Sequence, residues 1–307
     1  MELKSGQVAV VTGAGSGIGL ALADRFASAG LHLVLADVQE DALAAAAEQV
    51  DAAGDGEVLT LTVDVSQQDA VADLAARTID HFGAVHLVCN NAGVAARADP
   101  WFGPLTSWEW VIGVNFWGVV HGCRAFLPHL IGGGHIVNTA SMAGLMPGFG
   151  PSYDASKHAV VAISEDLYHT VELAGLPVGV SVLCPGWVRT GILDADRNWP
   201  DHLGERPQRD PAGQAMEHHF RRAIDEGSQP ALIADAVAEA VSAGRFWVIP
   251  HGDFLDLAVR RWSTIAERFD PVAPEEVPGM PPRSEMLAEV MAALGVDAPP
   301  PPVASSP

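Results

Sequence analysis

Positive charge is scarce in this sequence of 307 residues. Lysine and arginine number 17 against 38 aspartates and glutamates, which gives a formal net charge of −21. Proteins that neutralise nucleic-acid phosphates or anionic lipid headgroups carry an excess of positive charge at their surface. We therefore expect neither nucleic acid nor a membrane as a partner.

Cysteine and long apolar runs are also scarce. The three cysteines match no CxxC or zinc-ligand spacing and no disulfide framework, so we expect a reducing, cytoplasmic setting. The twelve histidines include no HExxH pattern, and we expect no bound metal. No run reaches the ~18 apolar residues of a membrane span. The first residues lead into a strand pattern without the features of a signal peptide, so we expect the mature chain to begin here.

The composition that remains is typical of a folded enzyme: 49% of residues are hydrophobic and 18% are charged. Apolar runs of strand length alternate with Ala-rich segments of helix length. The runs are nearly continuous in apolar residues, which favours parallel strands that are buried on both faces. The predicted fold is therefore α/β, a Rossmann-type doubly wound parallel sheet of about seven strands with helices on both faces. The predicted strands are 7–13, 31–37, 57–63, 84–90, 135–141, 178–185 and 246–249.

Two segments depart from this alternation. We predict one catalytic domain over 1–270, within which the long polar segment 191–230, here called the lid segment, covers the substrate. A Pro-rich extension over 271–307, here called the extension, follows the domain. It carries a short amphipathic stretch at 284–295. We expect its last ~10 residues to be disordered.

A glycine-rich loop follows the first predicted strand, with Gly13, Gly17 and Gly19 leading into a helical pattern. Glycines allow a pyrophosphate to approach the backbone, and the N–H groups of the first helical turn bind its charge. The order differs from the G-x-G-x-x-G fingerprint, because Ile18 stands where the last glycine would be. The loop indicates dinucleotide binding, although a plain strand-to-helix turn would have the same glycines.

Asp37 ends the second predicted strand, 20 residues after Gly17. A carboxylate at this place accepts hydrogen bonds from the adenosine ribose and repels a 2′-phosphate. No lysine or arginine lies between Arg25 and Arg77 to neutralise that phosphate. The pattern favours NAD over NADP as the cofactor, the alternative being that Asp37 is a solvated turn residue.

Tyr153 and Lys157 lie four residues apart at the start of a helical pattern, so they share one helix face. A phenol titrates near ~10, and a neighbouring ammonium favours the phenolate and lowers the pKa. We therefore expect Lys157 to tune Tyr153 as a general acid and base. By itself the pair is also common surface patterning.

Taken in order, these motifs resemble the short-chain dehydrogenase/reductase family over residues 5 to 250. The resemblance implies a fold, a hydride-transfer activity and a set of site residues. The implied catalytic residues are Asn115, Ser141, Tyr153 and Lys157. The implied cofactor contacts are Gly13, Ser16, Gly17, Ile18, Gly19, Asp37, Val38, Asp64, Val65, Asn91, Ala92, Gly93, Tyr153, Lys157, Pro185, Gly186, Val188 and Thr190.

The resemblance also implies roles for these residues. Tyr153 exchanges a proton with the substrate oxygen, Ser141 hydrogen-bonds the same oxygen, and Lys157 lowers the tyrosine pKa and holds the nicotinamide ribose. Asn115 holds a water that relays protons from Lys157 to solvent. Thr190 and the backbone of Val188 contact the carboxamide. Members of the family commonly form homotetramers or homodimers, and we expect one of these assemblies here.

We expect large apolar residues to line the substrate pocket: Met142, Met146, Phe149, Trp187, Leu193 and Trp199. They favour a hydrophobic secondary alcohol or ketone, and the sequence WVIPH at 247–251 resembles members that act on bulky aryl or alicyclic alcohols. A hydroxysteroid dehydrogenase is an alternative that the sequence leaves open. Two alternatives are a reductase of 3-oxoacyl groups on acyl carrier protein, which Asp37 and the acidic charge disfavour, and an NAD-sensing module without turnover.

Overall fold

A computed structural model describes residues 1–95, 101–208 and 211–296 of the chain. Seven strands form one sheet in the order β3-β2-β1-β4-β5-β6-β7, and every pair of neighbours is parallel. The prediction of a doubly wound parallel sheet is confirmed. The strands are β1 Val8–Thr12, β2 His32–Asp37, β3 Val58–Thr62, β4 Leu87–Asn90, β5 Gly134–Thr139, β6 Val178–Leu183 and β7 Trp247–Val248.

The central strands are apolar because both of their faces are covered by helices. In β1, Ala9 and Val11 belong to one buried cluster and Val8 and Val10 to another, on the opposite face of the sheet. This alternation explains why the strand reads as an unbroken apolar run. The helices are α1 Gly17–Ala27, α2 Glu40–Asp51, α3 Gln68–Phe82, α4 Thr106–Ile112, α5 Gly118–Leu130, α6 Pro151–Leu173, α7 Pro211–Asp225, α8 Pro230–Ala243, α9 Leu255–Glu267 and α10 Arg283–Ala293.

The strand order reverses direction at β1. Strands β2 and β3 lie on one side of it, and β4 to β7 lie on the other. In open parallel sheets a crevice forms at such a switch point, outside the carboxyl ends of the strands. The residues that end β1, β4 and β5 are Thr12, Asn90 and Thr139, so the topology places polar groups at this crevice.

Helices and short 3₁₀ turns make up the lid segment. Two turns, Ile192–Asn198 and Asp201–Leu203, precede α7. The predicted amphipathic stretch of the extension forms α10, which packs against α7. The predicted disordered tail lies outside the described residues. No helix among the described residues is long and apolar enough to cross a bilayer.

Candidate active site at the carboxyl edge of the sheet

The glycine-rich loop fits closely against the neighbouring turn. Gly13 has φ +66°, and a Cβ there would lie 2.8 Å from the Cα of Ala92. A Cβ on Gly19 would lie 2.0 Å from the Gly13 carbonyl oxygen. Side chains at either position would therefore force the loop apart, which explains both glycines independently of any ligand. Gly17, with φ +56°, lies at the N-terminus of α1 and faces the cavity that contains Ser141 and Tyr153.

Asp37 stands at the end of β2 with its carboxylate fixed by two backbone groups. The N–H of Gly15 donates to Oδ2 at 2.9 Å, and the N–H of Gln39 donates to Oδ1 at 3.0 Å. The carboxylate is thus a structural part of the loop and not a free turn residue. Its place beside the glycine-rich loop fits recognition of a ribose.

A cation from a distant part of the sequence reaches this end of the site. The sequence shows no cation near Asp37, but the fold brings Arg197 from the lid segment to within hydrogen-bond distance of Gln39, with Nε donating to Oε1 at 2.9 Å. The same guanidinium donates to the carbonyl oxygens of Gly191 and Asp194. The Arg197 guanidinium thus contacts the residue two places after Asp37.

The remaining predicted adenosine contacts, Val38, Asp64 and Val65, do not line the cavity that contains Ser141 and Tyr153. Val38 is exposed, and Asp64 accepts from the backbone N–H of Ser66 at 3.0 Å. Val65 is buried, and its carbonyl oxygen bonds the imidazole of His121 at 3.0 Å. Val38, Asp64 and Val65 follow the carboxyl ends of β2 and β3.

Asn91 is tied to the ends of two strands. Its backbone N–H donates to Thr12 Oγ1 at 2.9 Å, and its Nδ2 donates to the Thr12 carbonyl oxygen at 3.0 Å. Its Oδ1 accepts from Thr139 Oγ1 at 3.3 Å. The roles of Thr12 and Thr139 were not predicted, although their signal is simple: each is a hydroxyl residue that ends a buried apolar run.

The predicted catalytic side chains Ser141, Tyr153 and Lys157 line one cavity. Ser141 follows β5 and hydrogen-bonds Tyr153, which lies in the first turns of α6. Lys157 lies one turn later, and its Nζ is 5.6 Å from the centroid of the Tyr153 ring. This ammonium is buried and donates to the carbonyl oxygen of Thr139 at 2.9 Å.

The pKa values of this pair differ from the expectation. Desolvation raises the pKa of Tyr153 to about 12, while the hydrogen bond with Ser141 opposes the rise and the charge of Asp154 adds to it. Desolvation also lowers the pKa of Lys157 to about 8. A lowering of the tyrosine pKa by Lys157 is therefore not seen in the protein alone, because desolvation of the phenolate dominates.

Asn115 lies behind the cavity in a single π-helical turn, Gly113–Trp117, between α4 and α5. Its buried amide accepts from the N–H of Val94 at 2.8 Å and donates to the carbonyl oxygen of Val94 at 3.0 Å. It also donates to Ser156 Oγ at 3.1 Å, and that hydroxyl donates to the Tyr153 carbonyl oxygen. The side chain thus joins three segments of the site.

Two further positioning residues were missed by sequence reasoning. Asp154 accepts from the backbone N–H groups of Gly148, at 2.7 Å, and Phe149, so it fixes the loop before α6. His251 accepts from the N–H of Gly186 at 3.0 Å and bonds Ser228 through its other ring nitrogen. Asp154 is buried and follows the predicted Tyr153 in the sequence. His251 is half-buried and contacts the predicted Gly186 in space.

The cavity that contains Ser141, Tyr153 and Lys157, here called the first cavity, has a volume of about 210 Å³ and an apolar wall. Of the predicted substrate contacts, Met142, Phe149, Trp187 and Leu193 line it. Trp199 does not, because it packs edge-on against Trp110 with ring centroids 5.2 Å apart. Met146 lines a neighbouring cavity instead. The predicted cofactor contacts that line the first cavity are Gly13, Ser16, Gly17, Ile18, Asn91, Ala92, Gly93, Tyr153, Lys157, Pro185, Gly186, Val188 and Thr190.

Three candidate metal ligands come together away from the catalytic residues. Glu289 of α10 lies 2.9 Å from His219 Nε2 and 3.6 Å from His218 Nε2, both on α7. Each imidazole nitrogen faces the same carboxylate, so direct contacts between the two helices account for the cluster without an ion. It fastens α10 to the lid segment.

Comparison with known proteins agrees with this geometry. The profile of the short chain dehydrogenase family matches residues 7–201. A 1-deoxy-11-beta-hydroxypentalenate dehydrogenase of Streptomyces avermitilis is 39% identical over 251 residues, which cover 80% of this chain and 84% of that protein. A 2-(R)-hydroxypropyl-CoM dehydrogenase of Xanthobacter autotrophicus is 36% identical over 201 residues, 64% of this chain and 80% of that protein.

Comparison with solved structures shows that the similarity includes the fold. A short chain dehydrogenase/reductase from Burkholderia phymatum, solved in complex with NAD, is 42% identical and superposes with a TM-score of 0.87 over 90% of this chain and 100% of its own. The protein described here belongs to the short-chain dehydrogenase/reductase family and is an oxidoreductase by that membership.

Proposed function

We propose that the protein is an NAD-dependent dehydrogenase that interconverts a hydrophobic secondary alcohol and its ketone. The observation that carries this proposal is the shared first cavity, where Ser141, Tyr153 and Lys157 face the glycine-rich loop on one side and an apolar wall on the other. The NAD complex of the Burkholderia phymatum structure supports the cofactor, and the hydroxyl-bearing substrates named for the two relatives support an alcohol as the substrate.

The residues of the loop fit a dinucleotide. The left-handed φ values of Gly13 and Gly17 leave the backbone uncovered at the N-terminus of α1, where the first N–H groups favour an anion. Asp37 fits the ribose that such a dinucleotide carries. When bound, a nicotinamide dinucleotide supplies the hydride acceptor for oxidation or the donor for reduction.

In the proposed mechanism Tyr153 moves the proton. For oxidation the Tyr153 phenolate accepts the proton of the substrate hydroxyl, and for reduction its O–H donates to the developing alkoxide. Ser141 donates a hydrogen bond to the same substrate oxygen and fixes its position beside Tyr153. The raised pKa of Tyr153 in the protein alone suits the neutral phenol that reduction needs, and the charge of Lys157 favours the phenolate that oxidation needs.

Asn115 and Lys157 are proposed to complete the proton path. Lys157 Nζ is held by the Thr139 carbonyl oxygen, so the ammonium stays beside Tyr153. Asn115 stabilises the π-helical turn, and a carbonyl oxygen of that turn is the proposed site of the relay water. The other cofactor contacts implied by the family resemblance remain part of the proposal.

The proposed substrate is apolar and bulky, of aryl, alicyclic or steroid-like shape. Among the described residues that line the first cavity, Lys157 and Arg197 are the cations, and both are engaged by backbone or side-chain oxygens. A substrate carboxylate or phosphate therefore lacks an arginine clamp near Tyr153. Met142, Phe149 and Trp187 supply contact area to an apolar group.

Assembly and location are also proposals. Trp101 and Trp117, beside α4 and in the π-helical turn before α5, are 70% and 48% exposed, which supports burial of this face in a homodimer or homotetramer. The thiols Cys89, Cys123 and Cys184 are all free, which supports a reducing cytoplasmic setting. We keep the catalytic domain over 1–270, with the lid segment 191–230, and the extension as proposed units.

A plate assay tests the proposal. The purified protein is mixed with NAD or NADP and a panel of aryl, alicyclic and steroid secondary alcohols, and the absorbance of the reduced nicotinamide is followed. We expect turnover with NAD, and a loss of ~10²- to 10⁴-fold for Tyr153→Phe, since general acid–base catalysis contributes this much. Tight NAD binding with no turnover across the panel, or turnover with NADP alone, would overturn the proposal.

A further inference from the structure

A second cavity of about 290 Å³ lies beside the first cavity. Three elements enclose it: the loop before α6, helix α7 of the lid segment, and the extension. Phe149, Trp187 and Phe220 line both cavities, so the two spaces share one aromatic wall. The second cavity therefore lies directly against the proposed substrate pocket, with these three rings between the two spaces.

The lining of the second cavity is apolar. Arg283 is the one charged side chain among the described residues that face it, and the others are apolar or glycine. Four of the seven methionines in the chain line it: Met146, Met216, Met280 and Met286. Methionine is flexible and polarisable, so such a wall adapts to apolar groups of different shape. Water gains few hydrogen bonds in a space of this kind.

The shared wall is held in place by the extension. Trp187 Nε1 donates to the Pro278 carbonyl oxygen at 2.6 Å. Gly279 has φ +77°, and a Cβ there would lie 2.9 Å from Trp187 Cδ1, so the chain turns closely over the indole. The Trp187 ring centroid lies 5.4 Å from that of Phe149 and 5.9 Å from that of Phe220. The extension thus closes a second compartment and does not merely trail from the domain.

We propose that the second cavity is a substrate subsite that binds the distal apolar part of the alcohol, while its carbinol group lies at Ser141 and Tyr153. The substrate class is then a secondary alcohol with an apolar chain or fused ring system on one side of the carbinol carbon, long enough to pass the aromatic wall. This inference rests on the proposed function.

A homologous series of secondary alcohols with lengthening alkyl chains tests the inference. For the wild type, kcat/KM rises about fourfold for each CH₂ group buried, first in the first cavity and then in the second. Met286→Trp fills the second cavity. In this variant kcat/KM no longer rises along the long members of the series. Met291→Trp is the matched control, because Met291 lies on the same helix and does not line the cavity.

A binding measurement separates this inference from the proposed function. Titration calorimetry with the long-chain and short-chain ketones gives Kd values that do not depend on turnover. We expect the long ketone to bind at least tenfold more tightly to the wild type and to Met291→Trp than to Met286→Trp. Equal Kd values in all three proteins would overturn the subsite, even if every alcohol is oxidised. Tight binding of the long ketone without turnover would overturn the proposed function and keep the subsite.

Discussion

Replacing Asp37 by asparagine isolates the charge at the proposed adenosine end of the site. Asparagine keeps the shape of the side chain and one carbonyl oxygen, so it can retain the bond from Gly15 or the bond from Gln39. The change removes a negative charge close to Arg197, which reaches Gln39 from the lid segment. We expect weaker binding of NAD and stronger binding of NADP.

The size of the expected change in cofactor preference follows from two effects. A hydrogen bond to a charged acceptor contributes about 1.5–3 kcal/mol against about 0.5–1.5 for a neutral one, so the loss for NAD is about 1 kcal/mol. The Asp37 carboxylate and the 2′-phosphate of NADP, taken as two unit charges about 5 Å apart, repel by about 3 kcal/mol at an effective dielectric constant of 20. Solvent at the partly exposed Asp37 reduces this repulsion to about 1–2 kcal/mol. The ratio of the two affinities therefore shifts by roughly 30- to 160-fold toward NADP.

Fluorescence titration of both cofactors measures this ratio without turnover. Asp37→Asn combined with Arg197→Met is the decisive control, because the gain in NADP affinity depends on the remaining guanidinium. We expect the double variant to lose most of that gain and to keep the weakened binding of NAD. An unchanged ratio in Asp37→Asn would refute the assignment of this carboxylate to the ribose. An equal gain in both variants would refute the part given to Arg197.

Three further predictions concern the catalytic residues. Asn115→Ala leaves the N–H and C=O of Val94 unpaired, and because an unsatisfied buried group costs about 1–3 kcal/mol, we expect a clear fall in Tm by calorimetry together with slower turnover. Asp154→Ala frees the loop at Gly148 and Phe149; we expect KM to rise more than kcat falls, and an unchanged KM would contradict the positioning role. Lys157 has a folded pKa of about 8, below its usual 10.5, so the unfolded chain binds more protons between these values and this group adds stability as pH rises from 8 to 10.5. The free energy of unfolding of the wild type relative to Lys157→Met therefore increases by up to about 3 kcal/mol over that window, and a flat difference in denaturant titrations would show that the pKa is not lowered.

The sheet could be predicted from the sequence because its strands are buried on both faces. Val8 and Val10 pack on one side of β1 and Ala9 and Val11 on the other, so no polar residue interrupts the run. The site at the carboxyl edge could be predicted for a related reason. Asp37, Asn91 and Ser141 lie at or just after the ends of β2, β4 and β5, and a parallel sheet brings the ends of its strands together whatever their separation along the chain. Tyr153 and Lys157 could be predicted instead from their spacing on one helix face.

The contacts of the lid segment could not be predicted in this way. Arg197 lies 158 residues from Gln39, and no periodic pattern fixes the path of the chain between β6 and α7. Trp199 is large and apolar like the true lining residues, but it packs against Trp110 instead. The pKa of Tyr153 depends on the balance between desolvation and charge, which requires the burial of the ring and not its spacing from Lys157.

The extension shows why composition alone was a poor guide to the second cavity. Its prolines indicate irregular structure, and α10 has no buried residue of its own. Such a segment gains stability from docking, and its contacts with Trp187 and with His219 anchor it to the substrate wall and to the lid segment. Because Trp187 faces both cavities and residues of the extension line the second, a ligand that fills the second cavity adds contacts to the extension. Binding of a long substrate should therefore order the extension, which hydrogen exchange at α10 would detect as increased protection.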